Sequence, residues 1–398
     1  MGVVDELASV ISGDTHLEID SKMWMDRVPP EHRDRAPRVV RTPEGADAWA
    51  VEGAPLQDVV FGLYAGKGRD TWAPFKQRYE DSAGTGSPKQ RISEQNVDGI
   101  DAEVLFPGAN GPKFWRHLRD DACYLAFVRA YNEFLADEYC AEDPERLIGI
   151  GAIPWTGVDD AIAEMQYCHE HGLRGILLGV FPNGSGSPST EDDAFWSAAL
   201  DMGMILTVHV DMDSSRGGQL TKMIDMTDTS ERARRSLPGE QVITQQTSVF
   251  GRAGAGNAMQ LAMSGVFDRF PDLKFFFAEN QIGWIPFWLE QADVRFHRHR
   301  RWIERELGWK PVERLPSEYV KDHCYWGFQR DRVGVLLREM IGTDKLIWAT
   351  DFPHQESDWP NSRQILELNF EGVPATEVEM MTNGNVSRLF GLGNSSAA

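Results

Sequence analysis

Asp14-Thr15-His16 sets a carboxylate and an imidazole two residues apart in an apolar setting. On a β-strand residues two apart face the same side, so both can point into one site. Three more such groups follow apolar, strand-like runs. His209 comes after Ile205-Leu206-Thr207-Val208, Glu279 after Phe275-Phe276-Phe277-Ala278, and Asp351 after residues 346–350, with His354 three residues behind. Acids and imidazoles brought by strand ends to one place can hold a divalent metal. Each has a plainer reading: a core histidine bonded to a carbonyl for His209, a helix cap for Asp351, a chance pair for Asp14 and His16. Glu279 resists one. A carboxylate after three aromatics must find a metal, lysine or arginine nearby, or carry a strongly raised pKa. Glu18, Asp211, Asp213 and Glu356 read as solvated loop acids, with Glu18 the exception worth following. His169 and His171 end a helix, and His297 and His299 lie in the basic run RFHRHRR, both ordinary surface settings.

Positioning these groups requires regular elements. Short β-branched or aromatic runs at 10–13, 103–106, 147–153, 175–180, 205–210, 273–278, 324–327 and 346–349 read as strands. Several are nearly all apolar, as when both faces of a sheet are covered. Residues 120–141, 158–171 and 285–306 carry apolar positions at helical spacing. Alternating strands and helices imply parallel pairing, and eight units imply a closed (β/α)8 barrel, an open doubly wound sheet being the alternative. The expectation is one barrel domain over residues 1–398, with long insertions after strands 1 and 5, at about 20–100 and 211–257. Both insertions would leave the catalytic mouth, as a lid or an oligomer contact.

The bulk properties exclude other classes. A net charge of −21 argues against nucleic acid or an anionic membrane as partner. No apolar run approaches the roughly 18 residues that span a bilayer. The first residues carry two acids and no basic n-region, unlike a secretory signal. Cys123, Cys140, Cys168 and Cys324 lie far apart, which points to a reduced cytoplasm rather than a disulfide scaffold or zinc knuckle. Phosphate-cradling glycine motifs and the G-x-S-x-G nucleophile turn are absent. Metal chemistry is what remains.

Longer phrases carry a resemblance. SGDTHLEI (12–19), AIPW (152–155), LTVHV (206–210), SGVFDRFPDLKFFFAENQIGWIPFWLEQAD (264–293), WATDFPH (348–354) and NVSRLFGL (385–392) resemble the amidohydrolase-related superfamily, in its branch of aminocarboxymuconate-semialdehyde and resorcylate decarboxylases. The resemblance covers nearly the whole chain and implies the (β/α)8 fold. It also implies metal ligands at Asp14, His16, His209 and Asp351. Two positions depart from the pattern. The sixth-strand histidine that moves protons in those decarboxylases is Glu279 here, and His354 stands where they carry an apolar or aromatic residue.

Those departures give three acids and three histidines, a donor set suited to redox iron and large enough for two ions. Some superfamily members with related first- and last-strand motifs are non-heme diiron monooxygenases. The first reading is therefore an iron enzyme, with Glu279 and His354 completing the site, hydroxylating a small organic acid or acyl substrate with electrons from a separate reductase. The alternative is a mononuclear zinc or manganese hydrolase or decarboxylase in which Glu279 or His354 carries the proton. The third is an accessory barrel in a hetero-oligomer. Arg216, Arg252, Trp155, Trp326, Gln329, Phe352 and Trp359 are candidates to line the mouth. The insertions and the pair Trp284 and Trp288, read as exposed, point to a homo- or hetero-oligomer.

Overall fold

Runs such as Phe275–Ala278, buried at every residue, form the staves of a barrel because both their faces meet apolar side chains. The computed structural model describes residues 7–59, 63–73, 76–109, 111–212, 230–235, 239–240, 243–244 and 253–393. Its strands in chain order are β1 (Ile11–Leu17), β2 (Arg38–Arg41), β3 (Asp47–Ala50), β4 (Gln57–Asp58), β5 (Ala102–Pro107), β6 (Leu147–Ala152), β7 (Gly175–Leu177), β8 (Ile205–His209), β9 (Phe275–Ala278), β10 (Cys324–Phe328) and β11 (Leu346–Trp348).

Eight of these make one parallel sheet in the order β1-β5-β6-β7-β8-β9-β10-β11, each stave beside its neighbour in sequence. The ends meet just past β11. Phe352 bridges Thr15 in parallel, its carbonyl accepts from His16 N at 2.8 Å, and Asp351 N donates to the Asp14 carbonyl at 3.0 Å. The architecture is the (β/α)8 barrel. Alternation along each stave divides the core. Val104, Phe106, Ile148, Ile150, Phe276, Ala278 and Ile347 fill the interior, while Leu105, Leu147, Phe275 and Phe277 pack outward against the helices. The closing helix Asn385–Phe390 sends Val386, Leu389 and Phe390 into the interior cluster beside the strand starts, leaving the carboxyl ends as the open mouth.

The eight expected strands all form, and β1 runs four residues beyond its expected end, so Asp14 and His16 lie within it rather than closing it. The expected helices form at Asp121–Phe134, Val158–Glu170 and Ile285–Leu307, the first continuing as a π-turn over Leu135–Tyr139. The stretch after β1 is more than a loop. β2, β3 and β4 make an antiparallel sheet of their own, followed by the helix Pro88–Asp98. Trp24 and Trp49 there are buried, and Trp24 packs on Trp115, Phe127, Tyr131 and Phe134. Trp284 and Trp288 differ from their reading as exposed: both lean on buried Trp326, with ring centroids at 5.6 and 6.1 Å. Asp213, Arg216 and Arg252 lie outside the described residues. All four cysteines are free and buried, and among the described residues no helix is long and apolar enough to cross a membrane.

Candidate metal centre at the barrel mouth

β1, β8 and the turn after β11 deliver Asp14, His16, His209 and Asp351 to one point. One ligand atom from each lies within 4.8 Å of all the others. His16 Nε2 is 3.6 Å from Asp14 Oδ1 and 3.1 Å from Asp351 Oδ1, and His209 Nε2 is 3.4 Å from Asp14 Oδ2. Asp14 and Asp351 are fully buried, yet among the described residues both oxygens of each, with Nε2 of His16 and of His209, have no hydrogen-bond partner and face ionisable neighbours at 3.1–3.6 Å. Six orphaned polar atoms converging in a buried place are costly at about 1–3 kcal/mol each. Two carboxylates and two imidazoles are a donor set that a divalent cation satisfies. The plainer readings of these residues fail here: His209 Nε2 finds no carbonyl, and no helix begins at Asp351, the next starting at Ser362.

Their surroundings orient them. His16 Nδ1 donates to the Pro107 carbonyl at 2.9 Å, which leaves the Nε2 lone pair free to face the centre. Burial, then the neighbouring His354 and His209, lower the His16 pKa, which keeps that lone pair available. At His209 burial works in the same sense, but Asp14, Glu279 and Asp351 outweigh it and hold the imidazole at about 9. Against burial, His354 and His16 keep Asp351 well below the ordinary carboxylate range.

Glu279 and His354 stand beside the four-donor group. Glu279 Oε2 is 3.6 Å from His209 Nε2, its ion-pair neighbour among the described residues, and burial followed by the Asp351 carboxylate pushes its pKa well upward. His354 stacks on His16 with centroids 3.7 Å apart and planes 11° apart. Its Nδ1 lies 3.3 Å from Asp351 Oδ1 and its Nε2 3.0 Å from Glu18 Oε1. Glu18 is itself buried, accepting from Ala109 N and from Tyr79 Oη at 3.5 Å. Asp211 is exposed and Glu356 half-buried. Of the other mouth candidates, Trp326 and Phe352 are core side chains, and Trp155 is buried with its Nε1 unpaired among the described residues. Gln329 pairs with Gln281, and Trp359 donates to the Glu94 carbonyl.

The backbone marks the same place. Val210, Glu279, Gln281 and Asp351 have φ of 60°, 53°, 50° and 53°, all at the carboxyl ends of staves. Such conformations cost on the order of 1–3 kcal/mol each and gather at functional sites. Asn280 supports this turn, donating to the Val210 and Ala278 carbonyls at 3.1 and 2.8 Å and accepting from Gly254 N at 2.8 Å. Two further residues at the site, Asn280 and Arg91, are absent from the sequence expectations, Arg91 falling within the insertion expected at about 20–100. Asn280 binds the nearby Ala278 carbonyl but also the distant Val210 carbonyl, and the carbonyls that Arg91 binds at His16 and Phe352 come from other segments.

A closed barrel with a buried carboxylate–imidazole group at its carboxyl-end mouth defines the class of metal-dependent barrel enzymes. The amidohydrolase family model matches residues 89–392, and the chain belongs to that family. It is similar to a γ-resorcylate decarboxylase of Polaromonas sp., 27% identical over 296 residues, covering 70% of this chain and 82% of that one. Its fold is similar to the crystal structure of 5-carboxyvanillate decarboxylase from Sphingomonas paucimobilis, with TM-score 0.65, 19% identity, and 96% of this chain and 99% of that chain covered. It is also similar to a dihydroxybenzoic acid decarboxylase from Polaromonas sp. JS666 holding manganese and 2-nitroresorcinol, with TM-score 0.61, 17% identity, and 97% and 98% of the two chains covered. These relatives are decarboxylases rather than monooxygenases, and the metal named is manganese rather than iron. They favour the second reading of the sequence over the first.

Proposed function

We propose that this chain is a divalent-metal-dependent decarboxylase of a small carboxylate-bearing substrate, with hydroxylated aromatic acids the class that its relatives' names suggest. The observation that carries the proposal is the set of orphaned, buried donor atoms of Asp14, His16, His209 and Asp351, within bonding reach of one ion. An accessory barrel would gain nothing from burying six unsatisfied atoms. Manganese or zinc suits two carboxylates and two imidazoles. When bound, the cation supplies a positive centre that orients the substrate and draws electron density from it.

The chain's own residues do the rest. Asp14, His16, His209 and Asp351 would hold the ion, with His16 aimed by the Pro107 carbonyl. Glu18 and His354 brace Asp351 from behind. Glu279 takes the part of proton carrier. It lies outside the four-donor group and is partly open to the mouth, and burial followed by the Asp351 carboxylate raises its pKa, which favours its protonated form. In the reaction the bond from carbon to carboxylate breaks and its electron pair stays on the carbon. The Glu279 proton forms the new C–H bond, CO2 departs, and solvent reprotonates Glu279. No electron is gained or lost, so no reductase is required.

The test is incubation of manganese-loaded protein in D2O with a panel of hydroxybenzoates and other small carboxylic acids. Released CO2 with one deuterium at the vacated carbon is expected. Oxygen uptake that depends on added reductant, giving a hydroxylated product that keeps its carboxylate, would overturn the proposal in favour of oxygenation.

A further inference from the structure

We infer that Arg91, paired with Glu103, is a positioning residue that fixes the barrel seam at which Asp14, His16 and Asp351 meet. The inference rests on the metal-site reading above and concerns a residue that touches none of the four donor side chains.

β1 and the segment after β11 carry three of the four donors, and a short ladder joins them: the Thr15 to Phe352 bridge, Asp351 N on the Asp14 carbonyl at 3.0 Å, and Thr350 N on Ser12 Oγ at 2.9 Å. Arg91, on the helix Pro88–Asp98, reaches this seam from the outer, helix-facing side and is 1% exposed. Its Nη1 donates to the His16 carbonyl at 3.0 Å and its Nη2 to the Phe352 carbonyl at 3.2 Å. One guanidinium thus joins a donor residue of the first stave to the residue next to Asp351. Nη1 also reaches the Gly84 carbonyl at 3.4 Å, and the guanidinium carbon sits 4.5 Å from the centre of the Phe352 ring. Glu103 on β5 holds the fork from below, accepting from Nε at 2.6 Å and from Nη2 at 3.3 Å.

A fully buried ion pair is a poor way to gain stability, because an apolar pair of similar volume often serves as well. What the pair adds is geometry. A planar guanidinium with fixed donor directions spans two carbonyls at once, which neither lysine nor an apolar side chain does. Here the carbonyls belong to the two segments whose spacing sets the His16 to Asp351 distance of 3.1 Å. Small errors in supporting groups commonly cost tenfold or more in metal affinity.

The experiment measures cobalt(II) binding by chelator competition and by visible absorption, alongside the melting temperature of metal-free protein, for wild type, Arg91→Lys and the double variant Arg91→Met/Glu103→Leu. The double variant removes both charges together, so no unpaired ion is left buried. A melting temperature near that of wild type, with cobalt affinity lower by roughly 10–100-fold and an altered cobalt spectrum, is the expected result. Arg91→Lys keeps a cation for Glu103 but cannot span both carbonyls, and should fall between. Wild-type affinity and spectrum in the double variant overturn the inference. If the double variant does not fold, wild-type affinity and spectrum in Arg91→Lys overturn it equally. Failure of the wild-type chain to bind cobalt, manganese or zinc at all sinks the metal reading and this inference with it, an outcome separate from equal binding by wild type and variants.

Discussion

The two sides of the donor group are built to opposite plans. At the seam, Asp14, His16 and Asp351 are buried, and each is held by neighbours: backbone pairing between Asp14 and Asp351, the Pro107 carbonyl on His16, His354 and Glu18 behind Asp351. Across the centre, His209 and Glu279 are partly exposed at 17% and 12% of their side chains. A rigid, dry side suits holding an ion at fixed distances. A more open side suits substrate entry and proton traffic. On the proposed reading, Glu279 falls on the open side, where proton transfer belongs, and His354 falls at the seam, where bracing belongs.

The comparison can be broken most decisively at the seam. Asp351→Asn should abolish retained metal, lowering affinity by more than about 100-fold, since it removes a ligand as well as a brace. Elemental analysis after gel filtration reads this directly, and full metal occupancy in the variant would end the seam's claim to hold the ion. On the open side, Glu279→Gln should keep its metal while CO2 release falls by roughly 10²–10⁴-fold, the usual worth of a positioned proton carrier. Loss of metal in step with turnover would instead make Glu279 a ligand.

A smaller effect sharpens the bracing argument. Glu18→Gln weakens the anion behind His354, and about a 10–100-fold loss of metal affinity is expected, with turnover of the saturated enzyme largely kept. Competition with a chelator measures the first quantity and steady-state kinetics at excess metal the second. Unchanged affinity would show that the Glu18–His354 contact does not reach the centre.

The smallest effect is on stability, and its sign follows from the open side. In metal-free protein His209 is held at about 9, above its ordinary 6.5. Stability from a raised group is fully present below the unfolded value and is lost as pH rises through the folded one. Glu279, also raised, acts in the same sense from its own ordinary value upward. Chelator-treated protein should therefore lose stability between about pH 6.5 and 9, on the order of 1 kcal/mol per pH unit for each raised group, and metal-loaded protein should lose less. Melting curves across that range check it, and a flat or rising curve without metal would contradict it.

Much of this molecule is legible in its sequence because the physics is local. Four to six apolar residues bounded by turns can only be staves when helices alternate with them, so all eight barrel strands lie where their composition places them. His209 and Asp351 are legible for a related reason, since a polar group at the end of such a run has the mouth as its natural place, while Asp14 and His16 lie within β1 and are legible from their two-residue spacing. The inserted sheet β2–β3–β4 was not legible, since short strands such as Arg38–Arg41 and Gln57–Asp58 are polar and gain their order from partners rather than from pattern. Trp284 and Trp288 misled for the same reason, because their shelter is Trp326, a residue on another element.

What the chain determined alone is the order of staves and the kind of atoms they offer, since periodicity and side-chain chemistry belong to each residue and its near neighbours. Only tertiary structure could separate the four donors that converge from the two that stand beside them, because distances among residues 14, 209, 279 and 351 depend on how the cylinder closes. Arg91 is the sharpest case. Its role is written in two backbone carbonyls, of His16 and Phe352, and a carbonyl has the same chemistry in every residue until folding brings it somewhere.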